Sequence, residues 1–130
     1  MATKNKINWG IIGTGKIART FTQDLRRVEN AVIYGVASRS GQKAKTFAGE
    51  FNAEKSYGSY EALAADPDID VVYIATPHVF HFENSMLCLK QGKHVLCEKP
   101  MGMHAGQVKT MIAEARKRKL FFCPNRISQE

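Results

Sequence analysis

Four short stretches place residues with chemical capability directly after apolar runs. The first is Gly13-Thr14-Gly15-Lys16-Ile17-Ala18, a G-x-G-x-x-A pattern that follows the run Ile7 to Ile12. Glycine at 13 permits a tight turn, glycine at 15 removes the side chain that would obstruct a diphosphate, and Ala18 lets a following helix pack closely on its strand. The free N–H groups and positive dipole end of such a helix attract phosphate oxygens. Glycine turns also arise for purely structural reasons; the strand–turn–helix setting is what directs this one toward a phosphate. Gly13, Thr14, Gly15, Lys16 and Ile17 are therefore expected to hold a dinucleotide.

The second stretch, Ser38-Arg39-Ser40, ends the run Ala31 to Ala37. About 20 residues beyond such a glycine turn, NAD-binding domains usually carry Asp or Glu, which accepts hydrogen bonds from the adenosine ribose. Here an arginine offers a planar donor fork suited to a 2′-phosphate, and the serine hydroxyls donate without adding negative charge. Lys43 adds a further cation. This composition favours NADP, with NAD also open; the plainer alternative is two surface cations and a serine that only caps a helix.

The third stretch is Ala75-Thr76-Pro77-His78-Val79-Phe80-His81 and the fourth Cys97-Glu98-Lys99-Pro100. Proline at 77 fixes the backbone where the chain leaves a strand, and Thr76 can bond nearby backbone or cofactor. His78 and His81 lack a third partner at metal-ligand spacing, so no metal is expected, and surface or capping histidines are the alternative. An adjacent Glu-Lys pair is ordinarily a weak exposed salt bridge. At a strand's carboxyl end both charges would enter a ligand crevice, where a desolvated lysine can donate a proton or polarise a hydroxyl or carbonyl.

The elements that must position these residues follow from hydrophobic periodicity. Strands are expected at 7–12, 31–37, 55–57, 71–75, 94–97 and 120–123. Helices are expected at 16–28 (Ile17, Phe21, Leu25 and Val28 on one face), 41–51, 60–65, 79–91 and about 104–119. Asp66-Pro67 stops the third helix and Gly92 the fourth. Strand–helix alternation with short connections predicts an α/β fold, a parallel sheet wound on both faces, with ligands at the carboxyl ends of the strands. That places chemistry just after Ile12, Ala37, Ile74 and Cys97. Residues 1–123 are expected to form this domain and 124–130 a tail.

At 130 residues, 44% hydrophobic and 24% charged, the chain has the composition of a globular domain able to bury a core. No apolar run approaches the roughly 18 residues of a membrane span, and the polar start offers no signal peptide. Three scattered cysteines suit a reducing compartment, so a cytoplasmic location is expected. The net charge of +7 raises the question of nucleic acid. However, much of the excess sits in 109–119, an amphipathic helix whose inward stripe is Val108, Met111, Ile112 and Ala115. Aromatic residues are not interleaved with the cations, and no nucleic-acid partner is expected.

Taken together, Gly13-x-Gly15-x-x-Ala18, Ser38-Arg39, Ala75-Thr76-Pro77-x-x-x-His81 and Cys97-Glu98-Lys99-Pro100 resemble the N-terminal half of the Gfo/Idh/MocA family of oxidoreductases. Within it the chain is similar to the diol and xylose dehydrogenase branch. The resemblance covers residues 6 to 122. It implies a Rossmann NAD(P)-binding fold and a small-molecule sugar or diol substrate. Lys99 would contact substrate and assist proton transfer, and Glu98 would bind the nicotinamide riboside. Thr76, Pro77 and His81 would line the nicotinamide end, with Ala75 and His78 beside them and a cis Lys99–Pro100 bond. His78 departs from the asparagine of many members. A second, open-sheet substrate domain and homo-oligomerisation are also implied; without that domain the 130 residues are expected to be inactive. A dinucleotide sensor without catalysis is the alternative, against which the retained Glu98-Lys99-Pro100 and His81 weigh.

Overall fold

The computed structural model describes residues 6–76, 80–98, 105–120 and 122–125. Along the chain run β1 (Ile7–Ile12), α1 (Lys16–Leu25), β2 (Ala31–Ala37), α2 (Gly41–Phe51), β3 (Lys55–Tyr57) and α3 (Tyr60–Ala64). There follow β4 (Val71–Ile74), α4 (His81–Lys90), β5 (His94–Glu98), α5 (Ala105–Lys117) and β6 (Phe122–Asn125). Every pairing is parallel, in the order β3-β2-β1-β4-β5-β6. That is the doubly wound order in which the chain starts at the centre, winds one way, then returns to wind the other.

Successive strand residues face opposite sides of a sheet, and both sides here are apolar. Ile11, Val36 and Tyr73 join Ala18, Leu25, Phe47 and Phe51 of α1 and α2 on one face. Ile12, Ala37, Val72 and Ile74 join Leu63, Leu89, Met111 and Ala115 of α3, α4 and α5 on the other. Phe21 stacks on Tyr73 with ring centroids 3.7 Å apart, which fixes α1 across the central strands. Of the stripe expected on α5, Met111 and Ala115 are buried with Val108 packed beside them, Ile112 is half-buried, and Arg116 to Lys119 are exposed.

Three expectations need correcting. Helix α1 stops at Leu25 rather than Val28, because Arg27 N–H bonds Asp24 O and Val28 N–H bonds Leu25 O, each three residues back in a tighter turn. A spacing of three fits that turn as well as a helix, and Val28 is left 52% exposed. Ile17, placed on the same face, is 51% exposed, since it lies in the first helical turn, where α1 meets the cleft beyond the carboxyl end of β1. The last strand lies at Phe122–Asn125 rather than 120–123, pairing Glu98 with Asn125 at its far end.

Asp66 does more than stop a helix. Its carboxylate accepts from Tyr57 Oη at 2.5 Å, Lys55 Nζ at 3.2 Å and Asp68 N–H at 2.9 Å. Its carbonyl, with that of Ile69, accepts from the buried Lys93 ammonium. The network ties the α3–β4 connection to β3 and to the start of β5. Burial alone would raise the Asp66 carboxyl, but hydrogen bonds from Tyr57, the Asp68 N–H and Lys55 outweigh it and hold the group below its ordinary range. Stability from this carboxylate is thus full above the unfolded value of about 3.9 and lost as pH falls through the lower folded one. Tyr57→Phe is expected to cost about 1–2 kcal/mol at neutral pH, a deficit that shrinks below about pH 4. Urea titrations at pH 7 and pH 3 check this; a deficit that does not change with pH would remove the ionised carboxylate from the explanation.

Candidate functional site

Strand order reverses between β1 and β4, and the carboxyl ends of β1, β2 and β4 border a cleft of about 920 Å³. Ligand sites usually span about 300–1,000 Å³ and in such sheets lie at this reversal. Gly13, Thr14, Gly15, Lys16 and Ile17 line it from the first turn, Ser38, Arg39, Ser40 and Lys43 from the second, Ala75, Thr76 and His81 from the third.

The two glycines of the turn serve different ends. Gly13 has φ +108°, and a Cβ there would stand 3.0 Å from the Ala75 carbonyl oxygen, so only glycine fits without strain. Its N–H is bonded to Ala37 O at 2.9 Å, which ties the turn to β2. Gly15 has φ −83°, ψ −166° and caps α1 without a side-chain hydrogen bond. A Cβ on Gly15 would meet nothing within 4 Å. The fold therefore tolerates a side chain at 15, and the space it would fill is the mouth of the cleft. With no side-chain cap and no acidic residue in the first turn of α1, its leading amides and dipole are left to a ligand.

At the end of β2, Ser38 is buried and its Oγ accepts the Ser40 N–H at 3.2 Å. A hydroxyl that accepts in this way keeps its own hydrogen to donate. Ser40 Oγ accepts from Lys43 N–H at 3.3 Å, so Ser40 does cap α2, the plainer role expected of it. Arg39 and Lys43 are exposed. Among the described residues the cleft is lined by four cations, Lys16, Arg19, Arg39 and Lys43, and by no carboxylate. Arg19 pairs with Glu50 of α2 and lies over the Phe47 ring, leaving three without an acidic partner among the described residues.

His81 is 1% exposed, which corrects the surface alternative. Its Nε2 lies 2.7 Å from the Thr76 carbonyl oxygen; since a carbonyl only accepts, that nitrogen carries a proton. Asn84 Nδ2 donates to Thr76 Oγ1 at 2.7 Å. The first turn of α4 thus clamps the segment leaving β4 at both its backbone and its side chain. Pro77, His78 and Lys99, and the Lys99–Pro100 bond, lie outside the described residues. Glu98 ends β5, next to β4. No group of three or more His, Cys, Asp or Glu stands together among the described residues. No helix among them is long and apolar enough to cross a membrane.

Sequence reasoning missed Arg19, Gln42, Thr46, Phe47 and Tyr60 in the lining, and Asn84 behind it. Helical spacing could have found three of them: Arg19 lies four residues after Gly15, and Gln42 and Thr46 lie four apart on α2. Asn84 stands three residues after His81, on the same face.

A family model described as the oxidoreductase family, NAD-binding Rossmann fold, matches residues 7–125. The chain is 50% identical over 119 residues to trans-1,2-dihydrobenzene-1,2-diol dehydrogenase of Bos taurus, covering 89% of this chain and 35% of that one. The Homo sapiens protein of the same name is 49% identical over 118 residues, 88% of this chain and 35% of that one. The chain thus spans about a third of the length of these relatives. A 3-ketoreductase from Actinomadura kijaniata, crystallised with NADP and TDP-benzene, superimposes with a TM-score of 0.88 at 35% identity, over 93% of this chain and 37% of that one. An NAD binding oxidoreductase from Klebsiella pneumoniae also gives 0.88, at 29% identity over 93% of this chain and 34% of that one. Turn, strand order and sequence agree: the chain belongs to the Gfo/Idh/MocA oxidoreductase family, and residues 7–125 match its NAD-binding Rossmann fold.

Proposed function

We propose that these residues form the NADP-binding half of an oxidoreductase that moves hydride between a nicotinamide cofactor and a sugar- or diol-type alcohol. One observation carries the proposal: an open cleft with an uncapped helix start, four cations and no carboxylate in its described lining. A diphosphate would take the space over Gly15, where a Cβ would meet nothing within 4 Å. The amides of Gly15, Lys16 and Ile17 would hold it. Ser38, Arg39 and Lys43 would hold the 2′-phosphate that distinguishes NADP, NAD being bound more weakly. Ile17 would offer its exposed apolar side chain toward the nicotinamide end, where Ala75, Thr76 and His81 form the wall, with Pro77 and His78 in the same stretch.

When bound, the cofactor supplies or accepts the hydride. Lys99, next in sequence to the end of β5, would pass the hydroxyl proton, and Glu98 would bind the nicotinamide ribose. The dehydrogenase names of relatives near 50% identity favour catalysis over a sensor role, and with it a small diol or sugar as partner. Hydride transfer requires substrate held against the nicotinamide, so the 130 residues by themselves would bind nucleotide without turning over diols or aldoses. The buried, unbridged Cys88, its thiol pushed up to about 12 by burial, suits a cytoplasmic location.

Arg39→Ala is expected to weaken NADPH by about tenfold or more, the worth of a charge-assisted hydrogen bond, and to leave NADH little changed. Fluorescence titration of both nucleotides checks it. Equal affinities in the unsubstituted chain, or an unchanged ratio in the variant, would overturn the assignment of the 2′-phosphate site.

A further inference from the structure

Arg39, at the end of β2, and Phe80, at the entrance to α4, meet across the end of β1, which separates their strands. The guanidinium carbon lies 5.2 Å from the centroid of the Phe80 ring. Among the described residues no carboxylate pairs with Arg39. Yet Glu61 and Glu83 border a second cavity, of about 300 Å³, that shares Arg39 and Tyr60 with the main cleft. A long, flexible cation at such a place would ordinarily sample those acids. The aromatic face holds it where two loops meet, on the wall between the two cavities.

We propose that Phe80 is a positioning residue: its ring sets the Arg39 guanidinium in place for an adenosine 2′-phosphate and so helps determine the choice of NADP over NAD. The proposal rests on the role given to Arg39 above. Immobilising a side chain of many rotamers costs affinity, and a guanidinium already held by a π face loses less on binding. Phe80 stands 41 residues beyond Arg39, in a different connection, and touches the phosphate only through it.

Dissociation constants for NADPH and NADH, measured on the 130-residue chain, test this in Phe80→Leu, Phe80→Tyr, Arg39→Ala and the double variant. Phe80→Leu is expected to weaken NADPH about two- to fivefold, the worth of an exposed cation–π contact, with NADH unchanged. Phe80→Tyr should keep the preference, and Phe80→Leu should cost nothing further once Arg39 is alanine. Equal weakening of both nucleotides would mean that the ring serves the shared adenosine and would overturn the proposal, as would no change, or additive losses in the double variant. Should circular dichroism show Phe80→Leu unfolded, Phe80→Met, which keeps bulk without a ring, decides in its place. If Arg39→Ala itself leaves the preference intact, the role of Arg39 falls; if it removes the preference while Phe80→Leu does not, only the role of Phe80 falls.

Discussion

Gly15→Asp is expected to abolish nucleotide binding, by about a hundredfold or more, in a chain as stable as the parent or slightly more so. The two effects have opposite signs for one reason. Gly15 caps α1 with extended backbone angles and open space around its missing Cβ, so aspartate fits without strain. Aspartate is a better N-cap than glycine by a few tenths of a kcal/mol, and it complements the positive helix end. The same carboxylate would occupy the place of the diphosphate. Two unit charges about 4 Å apart at an effective dielectric of 20 repel by about 4 kcal/mol. Gly15→Asn separates bulk from charge and should lose less. The checks are thermal melts beside titrations of NADPH and NADH; a stable Gly15→Asp chain that binds as before would show that no diphosphate lies over this turn.

Gly13→Ala should act the other way, through the fold. A non-glycine residue at φ +108° costs about 1–2 kcal/mol by itself, and the new methyl would press on the Ala75 carbonyl at 3.0 Å, backbone that cannot swing aside. Together the loss should reach about 2–4 kcal/mol. Because Ala75 N–H is bonded to Ile12 O and Gly13 N–H to Ala37 O, the strain would spread into both strands beside β1. Denaturant unfolding measures it. A midpoint within error of the parent would mean that the turn relaxes to another conformation, with Gly13 no longer the reason for its shape.

The pair of glycines also shows how far the sequence could be read. Spacing alone located the turn, because a strand, two glycines and a helix at fixed offsets leave few other arrangements. The alternation of apolar runs likewise gave a parallel sheet and, among its strand ends, those of β1, β2 and β4 that border the cleft. The motif already suggested a tight turn for Gly13 and clearance for Gly15; what was not legible is the neighbour that bars a side chain at 13, the Ala75 carbonyl, some 60 residues away. Ile17 and Val28 misled for a related reason: they continue the apolar period of α1, but one sits where the helix meets the cleft and the other where the chain has already left the helix. Periodicity reports a face, whereas exposure depends on where the neighbouring elements stop.

Long-range polar partners were the other blind spot. Asp66 reads as a helix stop, yet its carboxylate gathers Tyr57, Lys55 and the Asp68 N–H. For His81 the sequence left a surface or capping role open beside one at the nicotinamide end, yet it is buried and, with Asn84, secures Thr76. Asp66, Thr76 and His81 were noticed in the sequence, but Asn84, Asp68 and Lys93 were not, and the meeting of Asp66 with Tyr57 and Lys55 needs the sheet to be assembled first. The cation set at the end of β2 was easier, because Ser38-Arg39 stands where an acid would otherwise be and the absence of charge complementarity is visible in one dimension.

A titration of the ¹⁵N-labelled chain with NADPH, followed by amide chemical shifts, is the most direct measurement. Saturable shifts are expected at Gly15, Lys16 and Ile17, together with Ser38, Arg39 and Lys43, as the α1 amides take up the diphosphate. Saturation with the amides of residues 13–18 unmoved, or no binding at all, would contradict the central claim that this turn is a phosphate cradle.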